Sequence, residues 1–129
     1  MRQHSFASSR GLRSATRGLL AIVLTLWTAS AVSAQTLTQN QGPNLGTWVE
    51  GFIQLQLAAS GGGGNGTYVW SLVPGTGSLP PGISLRTDVP SFFSANANAG
   101  LIGIATTPGN YSFTLRVTSG GQTADRAYT

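Results

Sequence analysis

The chain has 129 residues and a formal net charge of +4, one domain's length once a targeting segment is set aside. Four of its seven arginines (Arg2, Arg10, Arg13, Arg17) stand in the first 17 residues. Beyond residue 34, Arg86, Arg116 and Arg126 balance Glu50, Asp88 and Asp125, so the folded part lacks the clustered cations that nucleic acid requires. Cysteine is absent and the one histidine is His4, so residues 35–129 hold no disulfide, no thiolate or imidazole metal ligand, and no imidazole base for a Ser or Cys hydrolase.

Residues 1–18 are rich in Arg and Ser and contain no acid. The apolar run Leu19-Leu20-Ala21-Ile22-Val23-Leu24-Thr25-Leu26-Trp27 follows, and then small residues ending in Val32-Ser33-Ala34. A positive start, an apolar core of about nine residues and small side chains at Val32 and Ala34 predict a helical signal peptide over residues 1–34, cleaved between Ala34 and Gln35. The run falls short of the roughly 20 residues of a membrane span, so no span is expected after cleavage; an uncleaved anchor is the alternative. No twin-arginine pair is present, which points to general secretion and a destination at the cell surface, in the medium or in the periplasm.

From Gln35 onward 16 of 95 residues are glycine, helix formers are scarce, and period-two alternation appears three times. In Phe52-Ile53-Gln54-Leu55-Gln56-Leu57, residues Ile53, Leu55 and Leu57 share one face. In Tyr68-Val69-Trp70-Ser71-Leu72-Val73 the shared face is Tyr68, Trp70 and Leu72. In Tyr111-Ser112-Phe113-Thr114-Leu115-Arg116-Val117-Thr118, four apolar residues alternate with four polar ones. Gly/Pro turns separate these runs, at residues 61–66, 74–75, 80–82, 108–110 and 120–121. The pattern predicts an all-β antiparallel sandwich of about seven strands, at 37–40, 47–57, 67–73, 83–86, 101–105, 111–118 and 123–129. Residues 88–99 fit no strand and read as an inserted loop.

Four stretches resemble the immunoglobulin-like repeats of bacterial surface and secreted proteins, a family grouped with cadherin-like domains. They are Leu57-Ala58-Ala59-Ser60-Gly61-Gly62, Tyr68-Val69-Trp70-Ser71-Leu72, Gly77-Ser78-Leu79-Pro80-Pro81-Gly82-Ile83-Ser84-Leu85 and Pro108-Gly109-Asn110-Tyr111-Ser112-Phe113-Thr114-Leu115-Arg116-Val117-Thr118. They occur in the family's order and cover roughly residues 45–129. The chain departs from the family at Leu101-Ile102-Gly103-Ile104-Ala105-Thr106 and at Ser119-Gly120-Gly121. The resemblance implies a longer last strand than one ending at Tyr128-Thr129, so that strand reads as cut short, with its neighbour left as an open edge. It also implies neighbouring repeats of the same kind as partners.

Each candidate site has a simpler reading. The run Gly61-Gly62-Gly63-Gly64-Asn65-Gly66 lacks the Lys-Ser/Thr and the following helix of a phosphate loop, and reads as a hairpin loop. Trp70 shares the face of Tyr68 and Leu72 and reads as core. Trp48, Phe92 and Phe93 are the candidate ligand or partner contacts: two adjacent aromatics in a polar loop either cap one end of the sandwich or form a contact point, and such platforms stack on sugar rings. Glu50, Asp88 and Asp125 are too far apart in sequence for a self-contained calcium site, although one shared with a neighbouring repeat fits cadherin-like modules. Nothing in their spacing supports a glycosidase pair. Asn65-Gly66-Thr67 and Asn110-Tyr111-Ser112 match the glycosylation sequon, a pattern common by chance.

The expectation is therefore a non-catalytic exported module over residues 35–129, without cofactor or metal, that engages a protein or glycan at the cell surface. The alternatives are a carbohydrate-binding module using the loop aromatics, and the N-terminal piece of a larger multi-repeat surface protein.

Overall fold

The computed structural model describes residues 34–129, so the signal peptide reading lies, up to residue 33, outside the described residues. Ala34 and Gln35, the expected cleavage pair, are exposed and outside any strand. All regular structure among the described residues is β: β1 (Thr38–Gln39), β2 (Gly51–Leu57), β3 (Ala59–Ser60), β4 (Val69–Leu72), β5 (Ile83–Arg86), β6 (Ala99–Ala105), β7 (Phe113–Ser119) and β8 (Gln122–Tyr128).

Every ladder is antiparallel. One sheet has the order β2–β6–β5 and the other β4–β7–β8, while β1 pairs with β3. Register follows the alternation, because a slip of one residue would turn every apolar side chain to solvent. Ile53 and Leu55 turn inward and Leu57 is fully buried, while Phe52, Gln54 and Gln56 face out. Phe113, Leu115 and Val117 of β7 are buried, as is Trp70 of β4. Leu57, Ala99, Leu101 and Ile83 from one sheet meet Trp70, Phe113, Leu115, Val117 and Tyr128 from the other, giving a sandwich-like arrangement with one core. Each large apolar side chain so buried contributes about 1.5–3 kcal/mol. Phe113 and Tyr128 stack with ring centroids 5.9 Å apart.

The core also holds a satisfied polar knot. Gln39, buried on β1, donates through Nε2 to the carbonyls of Leu115 and Ala124, each at 2.8 Å, and its Oε1 accepts from the Tyr128 hydroxyl at 2.7 Å. Three of the amide's hydrogen-bonding positions are used, which lets a Gln replace an apolar residue there. Between β5 and β6, Gly103 (φ +153°) and Gly82 (φ +88°) face each other. A Cβ on either would run into a backbone carbonyl, that of Gly82 or of Ile104 respectively.

Four expectations are corrected. Eight strands replace seven, because the amide of Ala58 donates to the Gln41 side chain and its carbonyl accepts from Asn40, which separates β2 from β3. The second strand starts at Gly51 rather than at 47: Pro43 and Leu45 bond to Thr129 beyond β8, so the intervening residues must travel back to the other sheet. Strand β6 begins at Ala99, where small side chains hide the alternation. The glycine run is not a hairpin loop, since β3 and β4 belong to different ladders; it crosses over and rests on the β7–β8 turn, with Gly63 N–H donating to Ser119 Oγ at 2.9 Å. Strand β8 pairs with β7 from Ser119↔Gln122 to Phe113↔Tyr128.

Candidate functional site

The detour of residues 43–50 shapes a cleft. It opens between the inner faces of the two sheets, at the end where β2 begins and β6 finishes, and encloses about 840 Å³. Ile53, Leu55, Leu101 and Phe113 are among its apolar lining, and Trp48 and Tyr111 line it too. Trp48 is half exposed, at 50%. Its ring is fixed by a hydrogen bond from Nε1 to the Leu45 carbonyl at 2.9 Å, and Tyr111 is fixed by its hydroxyl donating to the Thr107 carbonyl at 3.0 Å. Glu50 carries the one charged side chain of the lining. A volume of this size is typical of small-ligand pockets, which run from about 300 to 1,000 Å³.

The other two predicted contacts lie elsewhere. Loop 87–98 folds over the outer face of the β2–β6–β5 sheet, where the Ser94 amide and hydroxyl donate to Gln56 Oε1 at 3.1 and 2.9 Å. Phe93 is buried there, its ring 2.6 Å from where a Cβ on Gly100 would stand. Phe92 packs edge-on against it, centroids 5.2 Å apart, and remains 63% exposed. Trp48 precedes the start of the β2–β6 ladder and Phe93 covers its far end, roughly 20 Å away at ~3.4 Å per residue. The three aromatics therefore form no common platform. The outward cross-strand pair Phe52↔Ile104, at the near end of the ladder, is also exposed, at 66% and 59%.

A second concavity, of about 610 Å³, lies beside the glycine run, with Ser60, Asn40, Asn65, Asn96 and Tyr68 around it and no charged side chain. Tyr68 spends its hydroxyl on the Gly61 carbonyl at 3.1 Å.

The other two acids are paired in place. Arg116 grips Asp125 across β7 and β8 with two bonds of 2.7 Å, and Arg86 grips Asp88 in the same two-point manner. These hydrogen bonds hold both aspartates below the usual carboxylate range and raise the arginines. Arg126 donates to the Gln41 carbonyl. Glu50 makes no ion pair among the described residues. The acids do not converge, and among the described residues no three His, Cys, Asp or Glu side chains gather as metal ligands.

Trp48 stood out in the sequence as an aromatic near a strand start. Tyr111 and Glu50 did not stand out as its neighbours, because the sequence does not reveal that residues 43–45 pair with the far end of β8. No protein-family model, curated protein or solved structure matches the chain.

Proposed function

We propose that the chain is an exported, non-catalytic immunoglobulin-like module whose contact site is the cleft beside Trp48. The observation that carries the fold part of this reading is strand order. Lettered in chain order, with β2 and β3 as one strand, the ladders become A–B–E–D and C–F–G, the arrangement of a constant-type immunoglobulin sandwich. Two further features agree with it. Trp70 is buried on strand C, and Tyr111, just ahead of strand F, bonds back to Thr107 as a tyrosine corner does. There is no cysteine for an inter-sheet disulfide, and the position two residues after Tyr111, where the second cysteine would stand, holds the buried Phe113.

The reading of a binding rather than a catalytic role rests on chemistry. Residues 35–129 carry neither imidazole nor thiol, and two of the three acids are locked to arginines. The cleft is concave and largely apolar with fixed aromatic sides, properties of a binding surface. Export is supported by the leader pattern over residues 1–34.

Two measurements test the proposal. The mass of chain recovered from a secreting bacterial host should correspond to cleavage between Ala34 and Gln35; a full-length, membrane-retained chain would refute cleavage, and a full-length chain left in the cytoplasm would refute export. For the contact site, the neutral fluorescent probe N-phenyl-1-naphthylamine should bind the chain, and Trp48→Ala should weaken binding with cooperative unfolding retained. Absence of probe binding would remove the cleft as a contact site.

A further inference from the structure

We infer that the Trp48 cleft takes an apolar ligand with a cationic head, such as an alkyl or aryl ammonium, the head meeting Glu50 and the tail lying against Ile53, Leu55 and Leu101. The inference rests on the cleft being the contact site and adds the chemical class of what enters it.

The first support is the charge pattern. Of three acids beyond residue 34, Asp88 and Asp125 each accept two guanidinium hydrogen bonds, while Glu50 is exposed and makes no ion pair among the described residues. Glu50 is also the only charged side chain of the lining; the neighbouring Thr47, Thr107, Asn110 and Ser112 are neutral. An ionised carboxylate has acceptor capacity alone. It therefore favours a ligand that brings donors and positive charge, and disfavours an anion by repulsion.

The second support is the state of the two aromatics. Trp48 and Tyr111 spend their N–H and O–H on the carbonyls of Leu45 and Thr107. Their polar atoms are thus occupied, and what they offer is ring surface. Indole and phenol faces attract cations through their quadrupoles, tryptophan most strongly. A carboxylate and two such rings on one apolar cleft form a combination that selects a hydrophobic cation over its neutral and anionic counterparts. The wall residues supply the non-directional part of the affinity.

The experiment displaces N-phenyl-1-naphthylamine from the full chain with three ligands of equal tail length, decyltrimethylammonium and decanoate below their micellar concentrations and decan-1-ol below its solubility limit. The ammonium should displace the probe about five- to tenfold more tightly than the alcohol, the range expected for one cation–π contact added to one solvent-screened ion pair. Decanoate should be the weakest. Glu50→Gln should shrink the ammonium-to-alcohol ratio severalfold, and raising salt from about 0.05 to 0.5 M should do the same in the unmodified chain. Equal displacement by all three ligands, preference for decanoate, or a ratio that survives Glu50→Gln would overturn the inference while leaving the apolar cleft standing. Failure of the neutral probe to bind would instead overturn the cleft itself, and this inference with it.

Discussion

Tyr128 and Gln39 offer a quantitative test of how the interior is held together. The Tyr128 side chain is fully buried, and its hydroxyl is the partner of Gln39 Oε1 at 2.7 Å. Tyr128→Phe keeps the ring and its stacking on Phe113 and removes one oxygen, so the loss is that of a hydrogen bond with little cavity. The carbonyl oxygen of a 3% exposed Gln39 is then left without that donor. An acceptor stranded in this way costs about 1–3 kcal/mol, equivalent to roughly 5–20 °C in Tm for a folded unit of this size. Gln39→Leu removes three hydrogen bonds at once and leaves the buried Tyr128 hydroxyl without its acceptor, while the Leu115 and Ala124 carbonyls keep their places in the β7–β8 ladder, and should cost roughly 2–3 kcal/mol. In that background the hydroxyl is already unpartnered, so adding Tyr128→Phe should cost close to nothing. Urea or thermal unfolding of the four chains closes the cycle. A Tyr128→Phe cost below about 0.5 kcal/mol, or the same cost in both backgrounds, would refute the coupling. A pH arm gives an independent reading. Burial pushes the Tyr128 phenol above its ordinary value, so the folded state favours the neutral form. The associated stability is intact below pH ~10, where the unfolded phenol ionises, and is lost as pH rises through the folded value. Tyr128→Phe should flatten that alkaline decline.

Other expected outcomes follow from burial and backbone geometry. Phe93→Ala should cost roughly 2–4 kcal/mol, whereas Phe92→Ala should stay within about 0.5 kcal/mol; equal costs in thermal unfolding would mean that loop 87–98 does not rest on the sheet as described. Gly82→Ala and Gly103→Ala should each cost about 2–4 kcal/mol, because each combines an unfavourable φ with a Cβ driven into a carbonyl; near-neutral values would place β5 and β6 farther apart. Tyr111→Phe removes only the bond to Thr107 and should cost about 0.5–1.5 kcal/mol; a neutral result by urea titration would deny the corner a structural role.

Much of the sandwich was legible because it rests on a local signal. In β2 and β7 the alternation of apolar and polar residues is uninterrupted, and it assigns the inward faces correctly from Ile53 to Leu57 and from Phe113 to Val117. Boundaries were less legible where side chains are small or where a side chain replaces a backbone partner. Ala99 and Gly100 carry no hydrophobic signature, yet they pair with Leu57 and Gln56. Ala58 loses its place in a continuous strand to the amide of Gln41, 17 positions away. Gln39 is the same effect inside the core. It reads as a polar residue on a short strand, and only its meeting with Leu115, Ala124 and Tyr128, 76 to 89 positions away, makes its burial tolerable.

The cleft was hidden for a related reason. Residues 47–50 read as the first turn of a strand because Trp48 and Val49 suit a strand as well as Phe52 and Ile53 do. Local preference yields here to two backbone bonds, Leu45 N–H to the Thr129 carbonyl at 2.8 Å and Thr129 N–H to the Pro43 carbonyl at 2.9 Å. They draw the chain to the edge of the β4–β7–β8 sheet, and the return path to Gly51 crosses the open end of the sandwich. Had residues 47–50 continued β2, the end of the sandwich would carry neither Trp48 fixed to Leu45 nor Glu50 at the lining. The same detour that shortens the strand therefore brings Trp48, a carboxylate with no ion pair among the described residues and the inner apolar wall to one place. Because the detour depends on Thr129 holding residues 43–45, the site should be sensitive to the pairing at the end of β8, although no β8 side chain lines it.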